Sequence, residues 1–110
     1  RSPDPACNPY LSFAVMLAAG LKGIEEGYEL RSPVEENIFS MTAEERKSRS
    51  IGVLPGDLSE AIAVGRKSEL LSDTLGEETF DKYLRNRTAV WDQYRSIVTP
   101  YELINDLPVL

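Results

Sequence analysis

Apolar residues recur along this chain at intervals of three and four, the spacing of one helix face, and no run alternates apolar and polar long enough to form a strand. The first pattern begins after Asn8 and Pro9. Asn8 suits an N-cap, and Pro9 suits the first helical turn because its φ is already helical and it leaves no orphan N–H. Tyr10, Phe13, Leu17, Leu21 and Ile24 then share one stripe, while Ala14, Ala18 and Ala19 keep other faces small enough for close approach. Residues 11–21 are the most apolar stretch, well short of the roughly 20 residues that cross a bilayer, and they predict a buried helix weakened towards its end by Gly20, Gly23 and Gly27.

Beyond this helix the periodicity lapses, and Pro33 with Glu35 and Glu36 predicts an extended surface loop closing near Ile38 and Phe39. Thr42 and Glu45 have the spacing of a capping box and announce a short helix. Pro55 and Gly56 make a turn, Asp57 caps, and Glu60 stands three residues on. Another start falls at Ser68, with Leu70, Leu71 and Leu75 as its buried side and Gly76 as its stop. The longest predicted helix begins after Gly76 and carries Phe80, Tyr83, Leu84, Val90, Trp91, Tyr94 and Val98 as an aromatic seam. Thr99 and Pro100 cap a restart, placing Leu103, Ile104, Leu107, Val109 and Leu110 in a terminal segment, residues 99–110. The expected class is mainly α, with no internal repeat and no low-complexity tract.

At 110 residues the chain is expected to form one domain with a modest core, and 42% apolar with 27% charged residues argue for a folded state. A net charge of −6 repels phosphate backbones, so nucleic acid is not an expected partner. A single cysteine, Cys7, has no internal bridging partner, and without any histidine the usual zinc ligand set is missing. No membrane partner is expected, and the cytoplasm suits this composition. The chain opens on Arg1 with no starting Met, and the expectation is that it is the later part of a longer polypeptide.

Composition and spacing supply no catalytic set. There is no glycine-rich phosphate loop, no histidine base and no partner that would make Cys7 a nucleophile. The acid pairs at 25–26, 35–36, 44–45 and 77–78 are neighbours in sequence, which on a helix separates them about a quarter-turn or more and favours a solvated face over a metal clasp. Lys82, Arg85, Arg87 and Arg95 could form an anion site. Glu78 with Lys82 and Asp81 with Arg85 stand at i,i+4 with the acid first, and ordinary surface pairing is the preferred reading. Cys7 is read as a small buried hydrophobe, and Trp91 with its tyrosines as core. Arg1 carries a fork of donors suited to a carboxylate or phosphoryl oxygen, and Pro3 and Pro5 stiffen the backbone just after it. Physics alone reads an arginine at a chain end as disordered.

The blocks RSPDPACNPYL, AAGLKGI, EENIF, LPGDLSEA and WDQYRSIVTPYE, in this order and spacing, resemble the carboxy-terminal part of bacterial and archaeal type I glutamine synthetases over the whole chain. The R-x-P-D-P-x-x-N-P-Y-L block is the most specific. The resemblance implies a helical carboxy-terminal segment of an α+β catalytic domain whose reaction makes glutamine from glutamate, ammonia and ATP through a γ-glutamyl phosphate, with magnesium or manganese ions. It implies that Arg1 binds glutamate and stabilises the activated γ-carboxyl group, and that the nucleotide loop and metal ligands belong to polypeptide outside this chain. The isolated chain is therefore expected to be inactive.

The resemblance bears on two further positions. Phe39 stands where some relatives carry a tyrosine that accepts an AMP group; lacking a hydroxyl, it cannot be adenylylated, which implies control by feedback inhibition and regulatory proteins instead. Residues 99–110 resemble the arm that ties two hexameric rings of same-protein subunits into a dodecamer, with Leu103, Ile104, Leu107, Val109 and Leu110 as its apolar contacts. Burying the four aliphatic side chains of residues 104–110 contributes roughly 6–12 kcal/mol before ordering costs; folding back onto the chain's own core is the alternative. Two rival readings of the whole chain are a stand-alone helical interaction module, binding a protein through Phe80, Tyr83, Trp91 and Tyr94 or through its apolar tail, and a processed structural subunit with no ligand.

Overall fold

The computed structural model describes residues 3–106, and among these every regular element is helical, in keeping with the mainly α expectation. The chain divides into two compact units, Arg1–Gly56 and Asp57–Leu110.

The first unit is dominated by helix α1, Pro9–Glu25. The Asn8 side-chain oxygen accepts hydrogen bonds from the N–H groups of Tyr10 at 3.0 Å and Leu11 at 3.3 Å, answering donors that have no partner within the helix. At the other end Gly27, with φ of +64°, closes the helix: its N–H donates to the Ile24 carbonyl, and the Tyr28 N–H donates back to the Gly23 carbonyl. That pair of bonds is a Schellman closure, which favours glycine at the left-handed position. The chain then runs through an extended loop to a 3-10 turn, Ile38–Ser40, and to α2, Ala43–Ser48. Both halves of the capping box at Thr42 and Glu45 are present. Helix α2 ends in the same closure as α1, but with Ser50 at φ of 55° where α1 has glycine.

The apolar stripe expected to bury α1 does not. Tyr10 is 84% exposed and Leu17 64% exposed, and Phe13, Leu21 and Ile24 also face solvent. The half-buried positions are Leu11, Ser12, Val15, Ala18, Lys22 and Gly23, a neighbouring stripe at the same helical spacing. The other regular elements of this unit are one 3-10 turn and a six-residue helix, too little surface to cover both stripes of a 17-residue helix. Met41, at 9% exposure, is the buried apolar residue of the unit. Cys7 is exposed, against the expectation of a buried thiol, because it sits in the turn that precedes the α1 cap.

In the second unit, helices α3 (Leu58–Gly65) and α4 (Glu69–Leu75) each pack against α5 (Glu77–Tyr94). Each start uses a predicted cap: the Asp57 carboxylate accepts from the Glu60 N–H at 2.8 Å, and the Ser68 hydroxyl from the Leu71 N–H at 3.3 Å. Gly76 serves two helices. Its N–H donates to the Ser72 carbonyl at the end of α4, and its carbonyl accepts from the Phe80 N–H in the first turn of α5. Leu84, 4% exposed, is the buried side chain on α5.

The expected aromatic core on α5 is only partly formed. Phe80 and Trp91 are half-buried, whereas Tyr83 and Tyr94 are exposed. Trp91 and Tyr94 lie 6.1 Å apart in a tilted arrangement, and the Arg87 guanidinium sits 5.9 Å from the Tyr83 ring centroid. Helix α5 also stops at Tyr94, so Val98 falls beyond it, in the turn leading to α6 (Pro100–Asn105).

Candidate functional site

Residues 3–8 form a turn whose hydrogen bonds centre on Asp4. The Ala6 N–H donates to Asp4 Oδ1 at 2.8 Å, and the Cys7 N–H donates to the Asp4 carbonyl at 3.0 Å. A short side chain that accepts from the backbone two residues on makes an Asx turn, and Pro3 and Pro5 narrow the φ freedom on either side. The turn leads directly into the Asn8 cap, so Asp4 and Asn8 each hold part of the backbone entering α1. Arg1, the residue expected to meet substrate, lies outside the described residues.

Phe39 occupies the 3-10 turn and is 84% exposed. Asn37 Oδ1 accepts from the Phe39 N–H at 3.1 Å, and the Ser40 hydroxyl donates to the Asn37 carbonyl at 2.8 Å, so the turn presenting the ring is built by its own polar neighbours. Two longer links bind the surrounding loop: Arg49 Nη1 meets Glu36 Oε2 at 2.7 Å, and Arg31 Nη1 donates to the Ser50 carbonyl at 3.2 Å. The Glu36 carboxylate, by hydrogen bond and charge, raises the Arg49 pKa above its ordinary value. No periodicity announces these pairs, because their partners stand 13 and 19 residues apart. The Asp4 turn has a local signal, the Asp-Pro step that favours turn initiation. The Asp4 bonds close within residues 4–7 and those of the Phe39 turn within 37–41, two separate local devices of the first unit.

In the second unit, α6 opens on a complete capping box at Thr99 and Glu102, and Leu103 and Ile104 are exposed on it. Leu107, Val109 and Leu110 lie outside the described residues. Three of the four basic residues considered for an anion site are paired with carboxylates as expected of a surface, Lys82 with Glu78 at 2.6 Å, Arg85 with Asp81 at 3.5 Å and Arg95, just past the end of α5, with Asp92 at 3.0 Å, whereas Arg87 donates to the Asn86 side-chain oxygen. The acid pairs at 25–26, 35–36, 44–45 and 77–78 are all exposed. Among the described residues no group of three or more cysteine, aspartate or glutamate side chains converges to hold a metal ion. No described helix is long and apolar enough to cross a membrane.

A mainly α segment with most of its large apolar side chains in solvent, and with no catalytic set assembled among its described residues, is a scaffold segment suited to packing against other polypeptide. The family described as the glutamine synthetase catalytic domain matches residues 1–105, and the chain belongs to that family. It is 53% identical over 107 residues to the glutamine synthetase of Mycolicibacterium smegmatis, an alignment covering 97% of this chain and 24% of the relative. It is 52% identical over 103 residues to that of Mycobacterium tuberculosis, covering 94% and 23%. With the glutamine synthetase of Methanosarcina mazei the identity is 46% over 110 residues, covering 100% of this chain and 25% of the relative. The chain thus spans about a quarter of the length of these curated relatives. The stand-alone interaction module finds no support: nearly the whole chain aligns within a much longer ligase.

Proposed function

We propose that this chain is the helical carboxy-terminal segment of an α+β glutamine synthetase catalytic domain, and that the intact protein joins ammonia to the γ-carboxyl group of glutamate at the expense of ATP. The supporting observation is identity at about half of all positions along almost the entire chain. The open stripe of α1 accords with it, since a segment of a larger domain leaves such a face for its neighbours.

Arg1 is the substrate residue in this reading. Its guanidinium donates to the γ-carboxylate oxygens of glutamate. Negative charge shifts among those oxygens as the group is phosphorylated and again as ammonia adds and phosphate departs. A fixed cation beside them, already oriented and shielded from water, lowers the barrier without reorganising during the reaction. The described residues do not fit the magnesium or manganese ions that the family resemblance implies, and no step is assigned to an ion. ATP and the ions fall to polypeptide beyond this segment. The reading extends to a cytoplasmic homododecamer of two hexameric rings. In it residues 99–110 are the arm between rings, contacting a neighbouring subunit through Leu103, Ile104, Leu107, Val109 and Leu110. Phe39, exposed but without a hydroxyl, is not an AMP acceptor, and regulatory proteins and feedback inhibition act in its place.

The test is kinetic. The intact protein forms glutamine, or its hydroxamate when hydroxylamine replaces ammonia. Arg1→Ala lowers kcat/KM for glutamate by roughly a hundredfold or more, the scale of removing one oxyanion-stabilising donor. The 110-residue chain alone gives no turnover. Glutamine formation by the chain alone, or undiminished activity of the Arg1→Ala protein, overturns the reading.

A further inference from the structure

We infer that the end of α2 is a clasp on the loop leading to the Phe39 turn: Arg49 and Ser50 hold that loop at Glu36 and Arg31, and release of the clasp frees the turn to leave the helix. Three observations carry the inference, all within the first unit. First, the two ties cross. Arg49 Nη1 donates from the helix end to Glu36 Oε2 on the loop at 2.7 Å, and Arg31 Nη1 donates from the loop to the Ser50 carbonyl at 3.2 Å, so neighbouring residues on α2 grip the loop at separate points. Second, the loop has little else to hold it. Among the described residues, 29–36 make no main-chain to main-chain hydrogen bond, and every position from 29 to 40 is exposed. Third, Ser50 takes a φ of 55°, a left-handed conformation that favours glycine. Its N–H donates to the Lys47 carbonyl at 3.1 Å and the Ile51 N–H to the Arg46 carbonyl at 2.8 Å, so the bend that closes α2 also sets the carbonyl that Arg31 meets.

An extended segment with neither a hydrogen-bonded ladder nor a buried side chain owes its order to such ties, because nothing else offsets the entropy of fixing it. The Phe39 turn is closed by its own bonds to Asn37, and the clasp governs its attachment to α2 rather than its shape. The two ties differ in kind. Arg49 meets an opposite charge, with Glu36 foremost and Glu45 after it favouring its charged form, whereas Arg31 meets a neutral carbonyl. Salt therefore loosens the first tie more than the second. Both side chains of the ion pair are open to solvent, which keeps the effect of each tie modest.

The experiment digests the intact protein with chymotrypsin and follows cleavage after Phe39 by mass spectrometry, in the wild type, Arg49→Ala, Glu36→Ala, the double variant and Arg31→Ala. Cleavage there requires the chain on both sides to come away from α2, and where opening is fast beside cleavage the rate follows the open population. Arg49→Ala and Glu36→Ala are each expected to speed cleavage about two- to fivefold, the scale of an exposed ion pair, with melting temperature unchanged. The double variant is expected to match either single one, because both remove the same bond. Arg31→Ala is expected to speed cleavage by a similar factor. At about 1 M salt the ratio of the Arg49→Ala rate to the wild-type rate is expected to shrink towards one. Native rates in Arg49→Ala and Glu36→Ala overturn the inference, as does a native rate in Arg31→Ala. A double variant whose effect is the product of the two single ones also overturns it, since the two side chains then act separately, and so does a ratio that salt leaves unmoved. Should Arg49→Ala lower the melting temperature, Glu36→Ala decides, its position lying outside any helix: faster cleavage at native melting temperature supports the inference, and a native rate overturns it.

Discussion

Two glutamates show how much a single side chain does at the start of a short helix. Glu45 returns a carboxylate oxygen to the Thr42 N–H at 2.7 Å while its own N–H donates to the Thr42 hydroxyl at 3.2 Å, and Glu102 repeats the arrangement with Thr99. In each case the backbone N–H of the threonine is the larger cause, and its hydroxyl the next, holding the carboxyl pKa below the ordinary glutamate value. A pKa lowered by folding means the native state favours the charged form. The contribution is therefore complete above the unfolded value of about 4.3 and is lost as pH falls through the lowered native value. Both carboxylates are open to solvent, which keeps the effect small and local to the first turns of α2 and α6. Carboxyl NMR titration of the chain should give midpoints for Glu45 and Glu102 below that unfolded value, with faster amide exchange at Thr42 and Thr99 once the pH drops beneath them. Midpoints at or above it mean that the reciprocal bonds do not hold in solution.

At the scale of elements, the caps are legible in the sequence and the covered faces are not. Asn8, Thr42, Asp57, Ser68 and Thr99 all cap where their side chains and spacing predict, because capping involves donors only two or three residues away. Burial depends on what lies opposite. Helix α1 carries two apolar stripes, and nothing within residues 9–25 reveals that Leu11, Val15 and Ala18 are the partly covered ones while Tyr10, Phe13 and Leu17 stay open. For the same reason local pattern puts Cys7 inside and Tyr94 in a core, and it extends α5 to Val98 when the helix ends at Tyr94. Of the candidate site, the Asp4 turn and the Phe39 turn sit within readable local chemistry, whereas the Glu36 to Arg49 link does not. Gly76 reads as a stop, and its backbone explains why only glycine serves: φ of 73° with ψ of 150° is a region that other residues avoid. A methyl group there meets no atom within 4 Å, so the cost of Gly76→Ala is conformational rather than steric. The expected loss is about 1–3 kcal/mol, read as a lower urea midpoint with an unchanged slope. An unchanged midpoint shows that the α4 to α5 junction adopts another backbone.

For the molecule as a whole, the governing fact is how little these residues bury on their own: Met41 and Leu84 are the buried apolar side chains among the described residues. Folding free energy comes mostly from apolar surface withdrawn from water, so helices this well capped and this poorly covered acquire much of their stability from what packs on them. The proposed glutamine synthetase context supplies such a partner, since the relatives extend to about four times the length of this chain. Leu17 distinguishes a covered face from one that stays in water. In the 110-residue chain its side chain is 64% exposed, and Leu17→Asp should move the thermal midpoint little beyond the penalty of a poorer helix former. In the intact protein the same substitution places a carboxylate against apolar neighbours, a cost of several kcal/mol unless the group finds a partner or a proton. The melting temperature of the intact protein should then fall by several degrees. Equal, small shifts in both settings mean that this stripe of α1 remains in water in the intact protein, and that its apolar residues answer to something other than the polypeptide beyond this segment.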